Sequence, residues 1–177
     1  ASDVYKRQDR ADIVRLVEEA AAFQSVDTID SVRKLSANTE FEELSAGDVS
    51  DKTRAFLKIQ EGCNQFCTYC IIPYARGHIR SKRLEEIKDE ITGLAKKGHK
   101  EVILVGINLC CYGKDLNAKN SIRLIDAIET ACSVDGIERV RLGSIEPEMI
   151  SDLDIERMSK QKKLCPQFHL SLQSGCN

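Results

Sequence analysis

The chain has 177 residues, 42% of them hydrophobic and 31% charged, with eight cysteines, ten glycines and no tryptophan, enough apolar material to exclude whole-chain disorder. Its longest aliphatic run, residues 102–107, is far too short to cross a bilayer, and no basic-then-apolar leader opens the chain, so a membrane or secreted protein is not expected. The net charge of −2 argues against a strongly cationic nucleic-acid binder, although residues 1–55 carry 12 acidic and 8 basic side chains and residues 56–177 carry 16 and 18.

Residues 1–8 match no pattern and are left open as non-native sequence. Asp9 to Phe23 reads as a helix with Ile13, Leu16, Val17 and Ala20 on one face. Residues 25–53 are rich in Ser, Asp, Thr and Glu and read as a linker or strap anchored by Phe41 and Leu44. The composition then changes. Ala55 to Gln60 is a short strand running into a Gly-Cys loop. Leu84, Ile87, Ile91, Leu94 and Ala95 keep helical spacing, with Gly98 placed to end the helix. Glu101 to Gly106 is a buried strand by its Val-Ile-Leu-Val run. Ser121 is expected to cap a helix carrying Ile122, Ile125 and Ile128, stopped by Gly136. Arg139 to Leu142 is a third strand, Pro147 suits the first turn of a third helix, and Phe168 to Leu172 is a fourth strand.

Strands alternating with helices predict right-handed crossovers and a parallel sheet, an α/β architecture. Four such strands without a closing helix leave an open edge. The expectation is therefore a piece of a larger protein, cut at both ends.

Eight thiols in a chain without secretory signals point to a reducing compartment, where clustered cysteines serve metal binding or catalysis more often than disulfides. Three of them, Cys63, Cys67 and Cys70, stand at C-x3-C-x2-C in the loop after the first strand, with Tyr69 just before the last. Thiolates are soft ligands suited to zinc or iron–sulfur clusters. Structural zinc and iron–sulfur electron carriers both use four protein ligands. Three thiols on one loop leave one iron of a [4Fe–4S] cluster open to a small molecule with an amine and a carboxylate. The competing reading is a zinc knuckle short of its fourth ligand, or three incidental thiols.

The run Lys58-Ile59-Gln60-Glu61-Gly62-Cys63 through Cys70, followed by Ile71-Ile72-Pro73-Tyr74-Ala75-Arg76-Gly77 and Arg80-Ser81, resembles radical S-adenosylmethionine (SAM) enzymes, and more narrowly the methylthiotransferases. Gly106-Ile107-Asn108-Leu109 with Tyr112-Gly113, the run Arg141 to Pro147, and His169 to Gly175 fit the same family in the same order. The match covers residues 55–177, and Asp9 to Thr53 more loosely. The resemblance implies an incomplete parallel (βα) radical-SAM barrel with about four strands present. Residues 1–54 would then be the tail of a preceding domain plus linker, and 55–177 the N-terminal part of the core, truncated. It also implies a [4Fe–4S] cluster held by Cys63, Cys67 and Cys70 that reduces bound SAM to a 5′-deoxyadenosyl radical, so that the cofactor supplies the hard chemistry. Tyr69 would lean on the adenine. Asn108, Ser144, Glu146, Gln173 and Ser174, at the strand ends where ligands of parallel α/β folds sit, would bind the rest of SAM as a set. No side chain is assigned as catalytic.

Among the family's branches, residues 70–77 and 169–176 look most like the one that methylthiolates C2 of N6-threonylcarbamoyladenosine next to the tRNA anticodon. Sister branches modify N6-isopentenyladenosine in tRNA or an aspartate of a ribosomal protein. Arg76, Arg80 and Arg83 would be candidates for tRNA phosphate or a cofactor carboxylate. Partners implied are the tRNA anticodon stem-loop and an unknown reductant protein, in the cytoplasm. The family's second [4Fe–4S] cluster is expected only in the full-length protein, since no cysteine precedes Cys63, and the isolated chain is not expected to methylthiolate. A reading of another class is a non-catalytic metal or electron-transfer module.

Other features have plainer readings. Cys132 sits on an apolar helix face and reads as a buried thiol, Cys165 and Cys176 as packing or loop residues. Adjacent Cys110 and Cys111 stand where the family would place small residues and are given no role. His169 alternates with apolar residues and reads as a core histidine, His78 as solvated loop. Gly106 to Asp115 has the wrong spacing for a phosphate loop. Lys160, Lys162 and Lys163 read as a solvated helix end.

Overall fold

The computed structural model describes residues 13–22, 41, 53–116 and 122–175. Its first element is helix α1, Ile13–Ala22, where Val17, expected on the buried face, is exposed. The outer parts of the expected Asp9–Phe23 helix, and Leu44, lie outside the described residues. Of the strap anchors, Phe41 is described. Its ring lies 4.9 Å from Lys58 Nζ and 6.0 Å from Lys82 Nζ, a cation–π contact holding it beside the first strand.

Strand β1, Arg54–Glu61, begins with strict alternation, Ala55, Leu57 and Ile59 facing the core, and ends with three buried residues in a row. Strand β3, Glu101–Gly106, lies between β1 and β4, Arg139–Leu142, and is parallel to both. Its apolar run is what a strand covered on both faces needs. Helix α3, Leu84–Lys96, buries Ile87, Ile91 and Leu94 at positions one helical turn apart. Helix α4, Leu124–Ser133, buries Ile125, Ala127, Ile128 and Ala131. The core joins these helix faces to Leu57, Ile59, Val102, Leu104 and Val140, each side chain contributing roughly 1.5–3 kcal/mol by its removal from water.

The sheet order is β2-β1-β3-β4. Strand β2, Arg80–Ser81, is antiparallel to β1 and was not expected from the sequence. Two residues carry too little pattern to be seen. Helix α2, Ile72–Arg76, with Pro73 in its first turn, was missed for the same reason. After β4 the chain bends at Gly143 and continues as β5, Ser144–Ile145, which pairs in parallel with β6, His169–Leu170. The expected fourth strand is therefore shorter than Phe168–Leu172, and it bonds to β5 in a second, two-stranded sheet. The whole is a curled, partial α/β barrel of mixed strands, in agreement with the expected class.

Two helix starts differ from the sequence reading. At α4 the N-cap position is Arg123, not Ser121, which lies outside the described residues. The Asp126 carboxylate accepts the Arg123 N–H at 2.7 Å and supplies the cap from inside the first turn. Ile122 falls before the helix, and Gly136 follows its end at Ser133. Pro147 opens a single 3-10 turn, Pro147–Met149, rather than the third long helix. That helix, α5, spans Asp152–Ser159, and Ser151 Oγ caps it by accepting the Asp154 N–H at 3.2 Å.

At the amino ends of the strands, Glu101 is buried among three guanidinium groups, Arg54 at 2.6 Å, Arg139 at 2.8 Å and Arg141 at 3.0 Å. Arg139's hydrogen bond outweighs the desolvation that opposes it, and with Arg141 and Arg54 holds the Glu101 carboxyl below the usual carboxylate range. Beside α5 and β6 an apolar hollow of about 500 Å³ remains, with Ile155, Phe168 and Leu170 exposed along it.

Candidate active site at the carboxyl ends of the strands

The parallel strands β1, β3 and β4 all run toward one rim, where β5 and β6 continue. The cysteine loop begins there, at the end of β1. Gly62 makes the turn at φ 72°, and a Cβ at this position would meet the His78 carbonyl oxygen at 1.9 Å, so only glycine fits. The Cys63 N–H donates to the Gly77 carbonyl at 3.1 Å, closing residues 63–77 into one compact excursion. Within it Phe66 takes a positive φ of 50°, a strained conformation for an aromatic residue, and its ring meets Tyr74 edge-on at 5.7 Å. The Cys70 N–H bonds back to the Cys67 carbonyl at 2.9 Å. Cys63 is buried, Cys70 half-buried and Cys67 exposed, and all three are free thiols.

Glu61 anchors the loop from below. Its carboxylate is almost fully buried and receives Lys58 at 2.8 Å and Arg76 at 2.7 Å, with Arg80 at 4.0 Å. Arg80 is buried and also donates to the carbonyls of Arg76 and His78. Two of the three arginines noted as contacts for phosphate or carboxylate thus hold the loop's exit, and Arg83 alone of them is exposed. Behind the loop, Ser81 is fixed by Asp115, whose carboxylate accepts the Ser81 N–H at 2.8 Å and its hydroxyl at 2.5 Å.

The other predicted site residues pair across strand ends. Tyr69 donates its hydroxyl to Gln173 Oε1 at 2.5 Å, joining the cysteine loop to the segment after β6. Asn108 is buried after β3 and donates Nδ2 to Glu146 Oε2 at 3.0 Å. The Asn108 Oδ1 is buried without a hydrogen-bond partner. Ser144 Oγ lies 3.0 Å from His169 Nδ1. His169 is exposed, so the core-histidine reading is corrected. The β5–β6 ladder leaves that face of β6 uncovered. Ser174, also on this rim, is exposed.

The remaining thiols fall largely as read. Cys132 is buried, and burial pushes its thiol up to about 11; Cys165 is buried, and Cys176 lies outside the described residues. Cys110 and Cys111 diverge, Cys110 packing against the core and accepting the Glu146 N–H at 3.3 Å, and Cys111 buried on the other side. Cys111, Asn64, His78 and Lys114 line an open cavity of about 430 Å³ beside the loop. A bigger cavity, about 610 Å³, is lined by none of the three loop cysteines. Gln60 and Glu61 were missed as site residues. The available signal was two consecutive polar residues closing a strand whose apolar residues alternate up to Ile59.

Among the described residues no three Cys, His, Asp or Glu side chains converge on a single metal ion. The donor set nonetheless suits a cluster that spreads its ligands over several irons. Three unpaired soft thiols share one loop, at the strand ends where a ligand of this fold sits, and a buried, unpartnered amide oxygen follows β3 at the same ends. No helix among the described residues is long and apolar enough to cross a membrane.

Comparison with known proteins bears on the family. Residues 57–177 match the model of the radical SAM superfamily. The threonylcarbamoyladenosine tRNA methylthiotransferase MtaB of Bacillus subtilis is 41% identical over 149 residues, 84% of this chain and 33% of that protein. The tRNA-2-methylthio-N(6)-dimethylallyladenosine synthase of Clostridium botulinum (strain Loch Maree) is 46% identical over 128 residues, 72% of this chain and 28% of that protein. MtaB of Chlamydia pneumoniae is 42% identical over 143 residues, 80% of this chain and 32% of that protein. The chain thus spans about a third of the length of these relatives. The superfamily implies a [4Fe–4S] cluster and SAM as cofactors. Since the superfamily match runs from within β1 to the last residue and takes in the whole rim just described, this chain belongs to the radical SAM superfamily.

Proposed function

We propose that this chain is the core portion, residues 55–177, of a tRNA methylthiotransferase, with residues 1–54 leading into it. The observation that carries the reading is the similarity, over 72% or more of the chain, to methylthiotransferases of two tRNA branches. Cys63, Cys67 and Cys70 would ligate the cluster, leaving one iron for the SAM amine and carboxylate. When bound, the cluster supplies the electron that opens the SAM sulfonium. This chain's residues bind and orient. Tyr69, held by Gln173, offers its ring to the adenine. Asn108 and Glu146 present an acceptor oxygen and a carboxylate to the amine. Ser144 and Ser174 offer hydroxyls, and Gln173 an amide, to the remaining polar groups. Tyr112, fully buried, donates its hydroxyl to the Lys82 carbonyl at 2.6 Å and fixes the segment after β3 against the start of α3.

For the substrate we favour N6-threonylcarbamoyladenosine beside the anticodon, methylthiolated at C2. Support comes from the residues after Cys70 and along β6, and from the longer extent of the match to MtaB. The second reading, N6-isopentenyladenosine, is supported by the higher identity to the dimethylallyladenosine synthases. Exposed Arg83 would meet anticodon-stem phosphate, a reductant protein would supply the electron, and the setting would be the cytoplasm. Nucleoside mass spectrometry of cells lacking the full-length gene tests this. Loss of methylthiolated threonylcarbamoyladenosine is expected; its persistence with loss of the isopentenyl derivative moves the assignment to the second branch. Retention of both methylthio nucleosides overturns the function.

A further inference from the structure

Gln60 is the penultimate residue of β1 and has no solvent exposure. A buried amide costs free energy unless each of its groups finds a partner. Its Nε2 donates to the Glu61 carbonyl at 2.9 Å and to the Gly62 carbonyl at 2.7 Å, while Oε1 accepts the Asn108 N–H at 2.8 Å. Two carbonyls on one side and an N–H on the other define which end of the amide is which. One side chain therefore ties the backbone just ahead of Cys63 to the backbone of Asn108, a residue 48 positions away in the chain.

The ladder around it is cut to fit. Gly106 faces Gln60 across the β1–β3 pairing, at a register shift between Lys58 and Gln60. A Cβ at Gly106 would stand 2.8 Å from Gln60 Oε1 and 2.9 Å from Gln60 Cβ, too close for either to stay. Room for the Gln60 amide depends on the absent side chain at 106. Glu61, the next residue, faces the other way and clasps Arg76 at the loop's far end. Entry and exit of the cysteine loop are thus held by neighbouring side chains with separate partners.

We infer that Gln60 is a positioning residue that sets the first cysteine of the loop against the Asn108–Glu146 pair. The inference rests on the proposed function for what these groups bind, although the contacts themselves do not. A merely structural glutamine would, on removal, loosen the protein evenly. A positioning glutamine loosens the loop and the Asn108 end while the core stays closed.

The test uses the full-length protein stripped of iron. Iodoacetamide labelling of Cys63 is measured by mass spectrometry against buried Cys132 as internal reference, with hydrogen exchange read over peptides containing Asn108. In Gln60→Met, which keeps the volume and loses all three bonds, Cys63 should label about tenfold faster with Cys132 within about twofold, and exchange at Asn108 should rise. Gln60→Glu keeps the acceptor for Asn108 and loses donors, so Cys63 should label faster while exchange at Asn108 holds. Gly106→Ala, which displaces Gln60 from the opposite strand, should reproduce the Met result and stands in for it if that variant does not fold. Parallel acceleration of Cys63 and Cys132, or no change at Cys63 in a folded variant, overturns the inference. After reloading with iron, SAM should bind Gln60→Met about tenfold more weakly at equal iron content. If the unaltered protein shows no spectral response to SAM, the functional reading falls, while the labelling ratio still decides the part played by Gln60.

Discussion

The two ends of the same parallel strands are built to opposite rules. At the amino end, Arg54, Glu101 and Arg139 stand opposite one another in the ladder, and Arg141 completes the set around one carboxylate. At the amino end one buried atom, His99 Nδ1, also lacks a partner, while at the carboxyl end three thiols are unpaired and the buried Asn108 amide oxygen has none. A buried polar atom left without a bond costs about 1–3 kcal/mol, so that rim is less stable than the same backbone could be. The charged cluster at the amino end holds the fold, whereas the groups at the carboxyl end are the ones proposed to hold a ligand. Gln60 and Glu61 close β1 with their side chains hydrogen-bonded, and so hold the start and end of the cysteine loop in place.

The sharpest break comes from the loop. Cys67→Ala in the full-length protein should abolish iron retention at this site and the optical response to SAM, yet shift the melting temperature of the iron-free protein by no more than about 2 °C, because Cys67 is exposed. Unfolding of that variant would show that the rim also supports the fold.

The opposite break is Glu101→Gln. Removing the charge leaves three guanidinium groups around a neutral amide and should cost about 2 kcal/mol in urea unfolding, below the full value for a buried pair because Arg54 and Arg139 are about half exposed. Iron binding should be unchanged. The Glu101 carboxyl is held below its ordinary value of 4.5, so its stabilisation is complete above that pH and is lost as the pH falls through the lowered value. The variant should flatten this acid limb of the stability curve.

A smaller effect is expected at the unsatisfied amide. Asn108→Ala should weaken SAM binding about tenfold, about 1.4 kcal/mol, with little change in melting, measured by titration of the iron-loaded protein. Unchanged affinity would place SAM elsewhere on the rim.

The smallest lies in the core between the two ends. Burial raises the Cys132 thiol from 9.0 to about 11. The unfolded chain ionises first as the pH rises, so stability falls between those values, by about 1 kcal/mol over the first unit above 9. Cys132→Val should remove that part of the alkaline loss in urea titrations at pH 9 and pH 10.

Legibility in the sequence followed the length of each pattern. β3 and β4 were placed residue for residue, because six apolar-rich or four alternating positions outweigh their neighbours. Helix α3 was equally clear, since Ile87, Ile91 and Leu94 recur at helical spacing and Gly98 marks its end. Elements of two to five residues, β2, β5 and α2, were not seen, for so few residues carry no periodic pattern, and the two strands exist through partners distant in sequence. Pro147 misled because proline suits the first turn of a 3-10 segment as well as an α-helix. At the site, Cys63, Cys67, Cys70, Tyr69, Asn108 and Glu146 were named from motif and position. Gln60 was not, because an amide's worth depends on which carbonyls reach it. For the arginines, charge announces a contact and not its partner, and Arg76 meets Glu61 at 2.7 Å.

The order of residues alone settled the alternating α/β class, the cysteine spacing and the family, because periodicity and close-range motifs are local properties of a chain. Folding decided the rest. It bent the third strand at Gly143 into a second sheet, left His169 exposed, closed Glu61 around two arginines, and brought Gln60 to Asn108 across 48 residues. Each of these depends on where water is excluded and which polar groups must then find one another, and that is known only when the strands lie side by side.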